Sequence, residues 1–210
     1  MERLTIQVGG FEVNCSILSE NGKAWIVDPG QEAERIIDLL AKNGLEPAAV
    51  LLTHGHFDHI SGIPGLLEKF PELPIYVHEK DVPMFGHPLN QLPPEYPSFA
   101  KPKNLKGLES LEGLEGLEVI ETPGHTPGGV CYYFPNFQTS QTSKPLHLLL
   151  SGDTLFAGSV GRTDLPGGDM ATLMDSLQKL TALPDDTLVI PGHGMHTRIA
   201  LEKSGNPFLQ

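Results

Sequence analysis

Between Thr53 and Ser61 the chain reads His54-Gly55-His56-Phe57-Asp58-His59-Ile60, with three imidazoles and a carboxylate close together. The run follows directly on Ala48-Ala49-Val50-Leu51-Leu52, an apolar stretch with the length and composition of a buried strand. Imidazoles and carboxylates at such a place are costly to desolvate unless something binds them, and a divalent cation is their usual partner. Any fold open to this chain must therefore end a buried strand at a polar, ligand-rich rim.

Spacing divides the run into two ligand pairs. His54 and His56 are alternate residues of extended chain, so they point to one side and can share a metal. Asp58 and His59 open a helix expected over roughly Asp58 to Phe70, which turns them toward a second position a few ångströms away. The absence of thiolate argues for an open, catalytic site over a structural one, and imidazole with carboxylate suits zinc, iron or manganese.

Two adjoining metals need further ligands, and three more strand ends supply them. His125 stands in Thr122-Pro123-Gly124-His125-Thr126-Pro127-Gly128 after Leu117-Glu118-Val119-Ile120, Asp153 in Leu150-Ser151-Gly152-Asp153-Thr154, and His193 in Ile190-Pro191-Gly192-His193-Gly194. Glycine precedes each, which lets the backbone turn so that the ligand caps its strand. His78, His87, His147 and His196 lack such a context, and ordinary packing or surface positions are expected for them.

The ordered set His54-x-His56-x-Asp58-His59, then His125, Asp153 and His193, resembles the metallo-β-lactamase superfamily over roughly Leu4 to His196. Asp28, in Trp25-Ile26-Val27-Asp28-Pro29-Gly30, is similar to the acidic residue which that family places behind its metals; read alone, it is equally a turn aspartate. Within the superfamily, Gly152-Asp153-Thr154-Leu155-Phe156 and Pro123-Gly124-His125-Thr126-Pro127-Gly128 are most similar to the glyoxalase II-like branch, which hydrolyses glutathione thioesters. The resemblance implies His54, His56 and His125 on one metal and Asp58, His59 and His193 on the other. Asp153 would bridge them, making Asp58 and Asp153 the catalytic carboxylates. The cofactor so implied is two divalent ions, zinc first, with iron or manganese also compatible.

Such a pair of cations would hold a bridging water, lower its pKa toward neutrality, and deliver hydroxide to a thioester carbonyl such as that of S-D-lactoylglutathione. The thiolate leaves readily, so little general-acid help is needed. Counting on from Asp153, Arg162 occupies the place where glyoxalase II enzymes carry a glutathione-gripping lysine, and Asp164 replaces a tyrosine. Arg162 is thus the candidate substrate-binding residue, its planar fork suited to a carboxylate, although Arg162 and Asp164 also read as a salt-bridged loop. Only Gly194 to Gln210 follows His193, too little for the helical glutathione-binding domain of larger relatives. A Gly-Arg-Thr-Asp run is shared with persulfide dioxygenases as well. The alternatives are therefore a mononuclear-iron sulfur dioxygenase, using His54, His125 and Asp153 or a near variant, and a metal-dependent hydrolase of another ester or lactone.

Charge and length bound the rest. With 14 basic and 26 acidic residues the net charge is −12, and no Lys/Arg stretch forms a patch able to track a phosphate backbone, so a small-molecule substrate is expected and nucleic acid is not. The amino terminus lacks the features of a signal peptide and no stretch approaches the ~20 apolar residues of a spanning helix, so no membrane role is expected. Cys15 and Cys131 are the only cysteines and lie far apart, which fits a reduced cytoplasm.

The expected architecture is α/β, a four-layer αββα sandwich carrying its metals at the sheet edge, in a single domain spanning 1–210 with two similar halves. In the first half, strands are expected at Leu4–Val8, Val13–Leu18, Ala24–Val27, Val50–Thr53 and Ile75–Val77, with a helix at Glu32–Lys42 stopped by Gly44. The second half repeats the pattern, with strands near Val119, Val130–Phe134, Leu146–Leu150 and Leu188–Ile190 and a helix at about Met170–Leu180. Between the halves, Asp81 to Gly116 is rich in proline, from Pro83 to Pro102, and reads as a long loop, either a lid or a packed connector. Gln138 to Lys144 reads as a polar hairpin-like loop.

Overall fold

A computed structural model describes residues 1–90, 94–140 and 144–210, so Pro93 of the proline-rich segment and residues 141–143 of the polar loop lie outside the described residues. The chain divides into two compact units, Met1–Leu111 and Glu112–Gln210.

In the first unit, β1 (Glu2–Val8), β2 (Val13–Glu20) and β3 (Lys23–Val27) form an antiparallel meander. β4 (Glu46–Leu51), β5 (Ile75–Tyr76) and β6 (Leu105–Lys106) then add in parallel, in the order β1-β2-β3-β4-β5-β6 among the described residues. Parallel addition needs crossover connections. The first of these carries α1 (Ala33–Lys42), whose Ile36 and Leu40 are buried and whose Ala33, Ile37 and Leu39 pack against the same core. Glu32 precedes the helix in the left-handed region and accepts the Gly9 N–H at 2.9 Å and an Arg35 N–H at 2.6 Å, which holds its carboxyl below the usual range. The helix ends as expected, with Gly44 at φ +63° and the Leu45 N–H returning to the Leu40 carbonyl.

The helix expected over Asp58 to Phe70 is instead two, α2 (Phe57–Ile60) and α3 (Ile63–Lys69). The cause is local. Pro64 stands in the first turn of α3, where its ring would collide with the Ile60 carbonyl of a continuous helix. The Gly62 N–H turns away to the Pro29 carbonyl at 2.8 Å, tying the break to the Asp28-Pro29-Gly30 turn. The proline-rich segment is likewise more ordered than its composition suggests. It holds 3-10 turns at Glu79–Met84 and Leu108–Ser110 and the short strand β6 paired with β5.

In the second unit, β7 (Glu118–Glu121), β8 (Val130–Phe137), β9 (Leu146–Gly152), β12 (Leu188–Pro191) and β13 (Thr197–Arg198) form a sheet ordered β13-β12-β9-β8-β7 among the described residues. The β9–β12 pair is parallel and its crossover carries α4 (Met170–Thr181). Asp169 caps this helix by accepting the Thr172 N–H at 2.7 Å; the Thr172 side chain and then its N–H lower the Asp169 pKa, and Leu173, Leu177 and Leu180 recur at helical spacing on the buried face. Four elements of this unit were not visible in the sequence: β10 (Leu155–Phe156) and β11 (Ser159–Val160), which pair as a hairpin, strand β13, and the helix α5 (Ile199–Gly205). No helix among the described residues is long and apolar enough to cross a membrane.

Strands β2 to β4 and β8 to β9 are buried on both faces, Ile17 and Leu18 alike, or Leu148, Leu149 and Leu150 in succession. In runs of this kind the ionisable groups find a place where the strands stop. Asp28, Thr53 and Asp153 stand at such stops, each immediately or shortly after its strand.

Candidate metal centre

In the first unit the ligand-type residues gather on the segment after β4. The His54 ring lies 4.9 Å from that of His56 and 4.1 Å from that of His59, centroid to centroid, and His59 Nε2 faces Asp58 Oδ2 at 3.8 Å. All four residues are buried. Asp28 stands beside one of the candidate histidines: its Oδ2 is 3.0 Å from His59 Nδ1. Asp28 also accepts the Thr53 N–H at 2.8 Å and the Thr53 hydroxyl at 2.6 Å.

Those contacts assign protons. The Thr53 hydroxyl has one hydrogen and gives it to Asp28, so toward His54 Nδ1, 3.1 Å away, it can only accept. His54 therefore carries its proton on Nδ1 and presents a lone pair at Nε2. The Asp28 carboxylate, 3.0 Å from His59 Nδ1, favours a proton on that nitrogen as well. One buried aspartate thus orients two histidines, His59 directly and His54 through Thr53, as the outer partners of metal-ligating histidines do. Gly30 is required at its place, since a Cβ there would overlap the Asp58 carbonyl oxygen.

Two polar residues that the sequence reading missed brace this loop. Asp81 accepts the Gly55 N–H at 2.9 Å, while Asn90 donates to the Gly55 carbonyl at 2.7 Å and accepts the Phe57 N–H at 2.8 Å. Both are buried, and both belong to the stretch around Pro83 and Pro88 that reads as irregular. No spacing marks them, because their role is fixed by contacts across 26 to 35 residues of chain. This part of the segment is a packed connector.

In the second unit, His125 Nε2 and His193 Nε2 each lie 3.5 Å from Asp153 Oδ2. His125 Nδ1 is 2.7 Å from the Arg162 carbonyl, which can only accept, so here too the proton sits on Nδ1 and Nε2 keeps its lone pair. The His125 loop is tied to α4 by Ser176 Oγ donating to the Pro123 carbonyl at 2.7 Å and by the Asp169 N–H donating to the Gly124 carbonyl at 2.8 Å. Gly161 packs beneath Asp153, where a Cβ would overlap the Asp153 carbonyl oxygen. Phe156 meets the His193 ring edge-on at 6.2 Å.

The Arg162 side chain points outward, about 60% exposed, and forks onto Asp164 through two hydrogen bonds of 2.6 and 2.7 Å. This pairing raises the guanidinium pKa and holds Asp164 down at about 2. The remaining histidines behave as expected: His78 and His87 accept backbone N–H groups of Lys80 and Leu89, His147 pairs with the Tyr133 hydroxyl at 2.8 Å, and His196 is exposed.

The donor sets fit divalent cations. Imidazole lone pairs and carboxylate oxygens are both acceptors, and within each unit they are aimed at one another, an arrangement that a cation between them satisfies.

Comparison with known proteins gives the same answer. The family model for the Metallo-beta-lactamase superfamily matches residues 8–193. The chain is 37% identical over 216 residues to hydroxyacylglutathione hydrolase GloC of Haemophilus influenzae, covering 97% of this chain and 96% of that protein. Among solved structures, TTHA1623 in a di-iron-bound form superposes with a TM-score of 0.85 at 37% identity, covering 98% of this chain and 100% of that one. BLEG-1, a B3 metallo-beta-lactamase, superposes with a TM-score of 0.84, also at 37% identity, over 99% of both chains. The fold class is thus the α/β sandwich of this group, and the chain belongs to the metallo-beta-lactamase superfamily of metal-dependent hydrolases.

Proposed function

We propose that the protein is a binuclear thioester hydrolase of the hydroxyacylglutathione hydrolase type, and that His54, His56, Asp58, His59, His125, Asp153 and His193 together hold two divalent cations. The observation that carries the reading is the setting of His54 and His125, each with Nδ1 against an oxygen that can only accept, which puts the proton on Nδ1 and leaves Nε2 unprotonated, with Asp28 Oδ2 3.0 Å from His59 Nδ1 beside them. Structural histidines need no such common arrangement. The identity to a protein named hydroxyacylglutathione hydrolase, over nearly the full length of both chains, supports the thioester as substrate.

When bound, the cations would activate a water and polarise the scissile carbonyl. The chain's own residues do the rest. Asp28 and Thr53 lock two imidazoles before any ligand arrives, so little reorganisation is left for the reaction. Asp153 presents Oδ2 to two histidines at once and Asp58 presents Oδ2 to a third, which supports casting them as the carboxylates that would hold the cations. With all seven side chains so engaged, the set leaves no general acid, which suits a thiolate leaving group with a pKa near 8.5. The exposed Arg162–Asp164 pair supplies a guanidinium that a substrate carboxylate can recruit by displacing Asp164.

The deciding experiment is the loss of S-D-lactoylglutathione with metal-replete protein, with Asp153→Ala as control and a chromogenic β-lactam and oxygen uptake on glutathione persulfide measured in parallel. Rapid hydrolysis abolished in the control upholds the proposal. Hydrolysis of the β-lactam alone, or oxygen uptake alone, overturns it.

A further inference from the structure

The second unit contains a buried carboxylate that the proposed chemistry does not use. Glu202, on α5, is 4% exposed. Its Oε1 accepts the Thr197 hydroxyl at 2.5 Å, and its Oε2 accepts the Gly158 N–H and the Asn206 side-chain amide, both at 2.8 Å. Asn206, fully buried, also donates to the Ser159 carbonyl at 3.0 Å. Glu202 and Asn206 therefore hold two backbone groups at the tip of the β10–β11 hairpin, the N–H of Gly158 and the C=O of Ser159.

That hairpin and the residues just after it reach every ligand-type residue of this unit. Phe156 lies against the His193 ring. Gly161 sits under the Asp153 carbonyl, and a Cβ there would also stand 3.2 Å from the Cβ of His125. The Arg162 carbonyl holds the Nδ1 proton of His125. At its base the hairpin is fixed by Ser151 Oγ donating to the Leu155 carbonyl at 2.8 Å and by the Gly161 N–H returning to the Thr154 carbonyl. Its tip is fixed through α5. An apolar residue at position 202 would leave the Gly158 N–H and the Thr197 hydroxyl without their acceptor, so a carboxylate is kept at the desolvation cost a buried one carries.

We propose that Glu202, with Asn206, is a positioning residue for the metal site: α5 sets the β10–β11 hairpin, and the hairpin sets the His193 ring and the His125 tautomer. The inference rests on the reading that these histidines ligate metal.

Its test uses Glu202→Ala, Glu202→Gln and Asn206→Ala in the full chain. Glutamine can keep its carbonyl oxygen on Gly158 and Asn206 while its amide donates to Thr197, whose hydroxyl rotates to accept, so this variant should restore what alanine removes. Three quantities are read: the melting temperature, the exchange lifetime of the His125 Nδ1 proton in metal-free protein by nitrogen-15 NMR, and zinc affinity by chelator competition. The expected result is a tenfold or greater shortening of the proton lifetime and loss of zinc affinity in Glu202→Ala, with Glu202→Gln within about twofold of the unsubstituted chain. A lowered melting temperature with an unchanged proton lifetime and zinc affinity makes Glu202 merely structural and overturns the proposal. Should Glu202→Ala fail to fold, Asn206→Ala decides by the same readouts. The metal-free NMR readout stands even if the unsubstituted chain binds no zinc, an outcome that refutes the functional reading and leaves the hairpin coupling to be judged by itself.

Discussion

Replacing Asp28 by asparagine tests whether one side chain sets two histidine tautomers. The amide oxygen must remain on the Thr53 N–H, 2.8 Å from the present Oδ1, because the reverse orientation would set two donors face to face in a buried site. The amide nitrogen then occupies the place of Oδ2 and donates toward Thr53 Oγ1 and His59 Nδ1. Thr53 must now accept from this introduced amide and give its own hydrogen to His54, so His54 and His59 both move their protons to Nε2, the nitrogen needed for the metal. The change is isosteric. Its stability cost is the difference between charge-assisted and neutral bonds, about 1 kcal/mol for each of the two Thr53 contacts, or roughly 4 to 8 °C in a chain of this size. Asp28→Ala discards both acceptors and strands the Thr53 N–H, costing about 3 to 6 kcal/mol. Zinc affinity should instead fall about 10- to 100-fold or more in Asp28→Asn, since outer partners of ligating histidines carry effects of that order. Chelator competition measures the affinity and nitrogen-15 NMR of metal-free protein measures the tautomers. An asparagine variant that binds zinc as tightly as the parent, with Nδ1 still protonated on His54 and His59, would refute the reasoning.

Asp58→Ala should empty one of the two metal positions, halve the zinc bound per chain by elemental analysis, and cut thioester hydrolysis by orders of magnitude; full activity would exclude a binuclear mechanism. Gly161→Ala forces a Cβ onto the Asp153 carbonyl, so a loss of about 1 to 3 kcal/mol in denaturant unfolding is expected, with a fall in metal affinity beside it. Arg162→Ala keeps the backbone carbonyl that holds His125, so it should raise KM far more than it lowers kcat, and steady-state kinetics with both constants unchanged would remove the guanidinium from substrate binding. Burial, with Asp28 nearby, pushes the Cys15 thiol well above its ordinary value of 9.0. The unfolded chain therefore loses this proton first, so stability is unaffected by Cys15 below about pH 9 and falls above it. Native protein should accordingly leave Cys15 unreacted with a thiol reagent at pH 8, while denatured protein reacts at both cysteines.

What could be read from the sequence is what repeats locally. A strand buried on both faces announces itself as an apolar run, and the candidate ligands stand where such runs stop, so β4, β9 and β12 and the residues after them were legible together. The amphipathic spacing of Ile36 with Leu40, and of Leu173 with Leu177 and Leu180, located α1 and α4 in the same way. The break between α2 and α3 was available in Pro64 but was outweighed by the apolar rhythm on either side of it. Asp81, Asn90, Glu202 and Asn206 were not legible at all. Each satisfies backbone groups of a distant segment, and a polar residue near a proline or close to the end of a chain looks the same whether it is solvated or buried. The two-residue strands of β10 and β11 fall below the length at which period-two alternation can be seen.

On the proposed reading, the two units hold their candidate histidines by different means. A ligand histidine is useful only if its distal nitrogen is held as a donor, and in a buried site that requires an acceptor which is itself well satisfied. The first unit uses a carboxylate: Asp28 takes two bonds from Thr53 and turns the remainder of its charge to His59, so its orienting power depends on an ionised group. The second uses a backbone carbonyl, that of Arg162, whose acceptor strength does not titrate and whose position is inherited from the hairpin before it. The first arrangement is therefore exposed to single side-chain substitution and the second to displacement of the loop. The isosteric Asp28→Asn should change metal affinity with only modest loss of stability, whereas in the second unit the sensitive positions are those that hold the hairpin, Gly161 beneath it and Glu202 at its tip. A scan in which side-chain changes at position 162 abolished metal binding, while those at positions 161 and 202 did not, would invert this assignment.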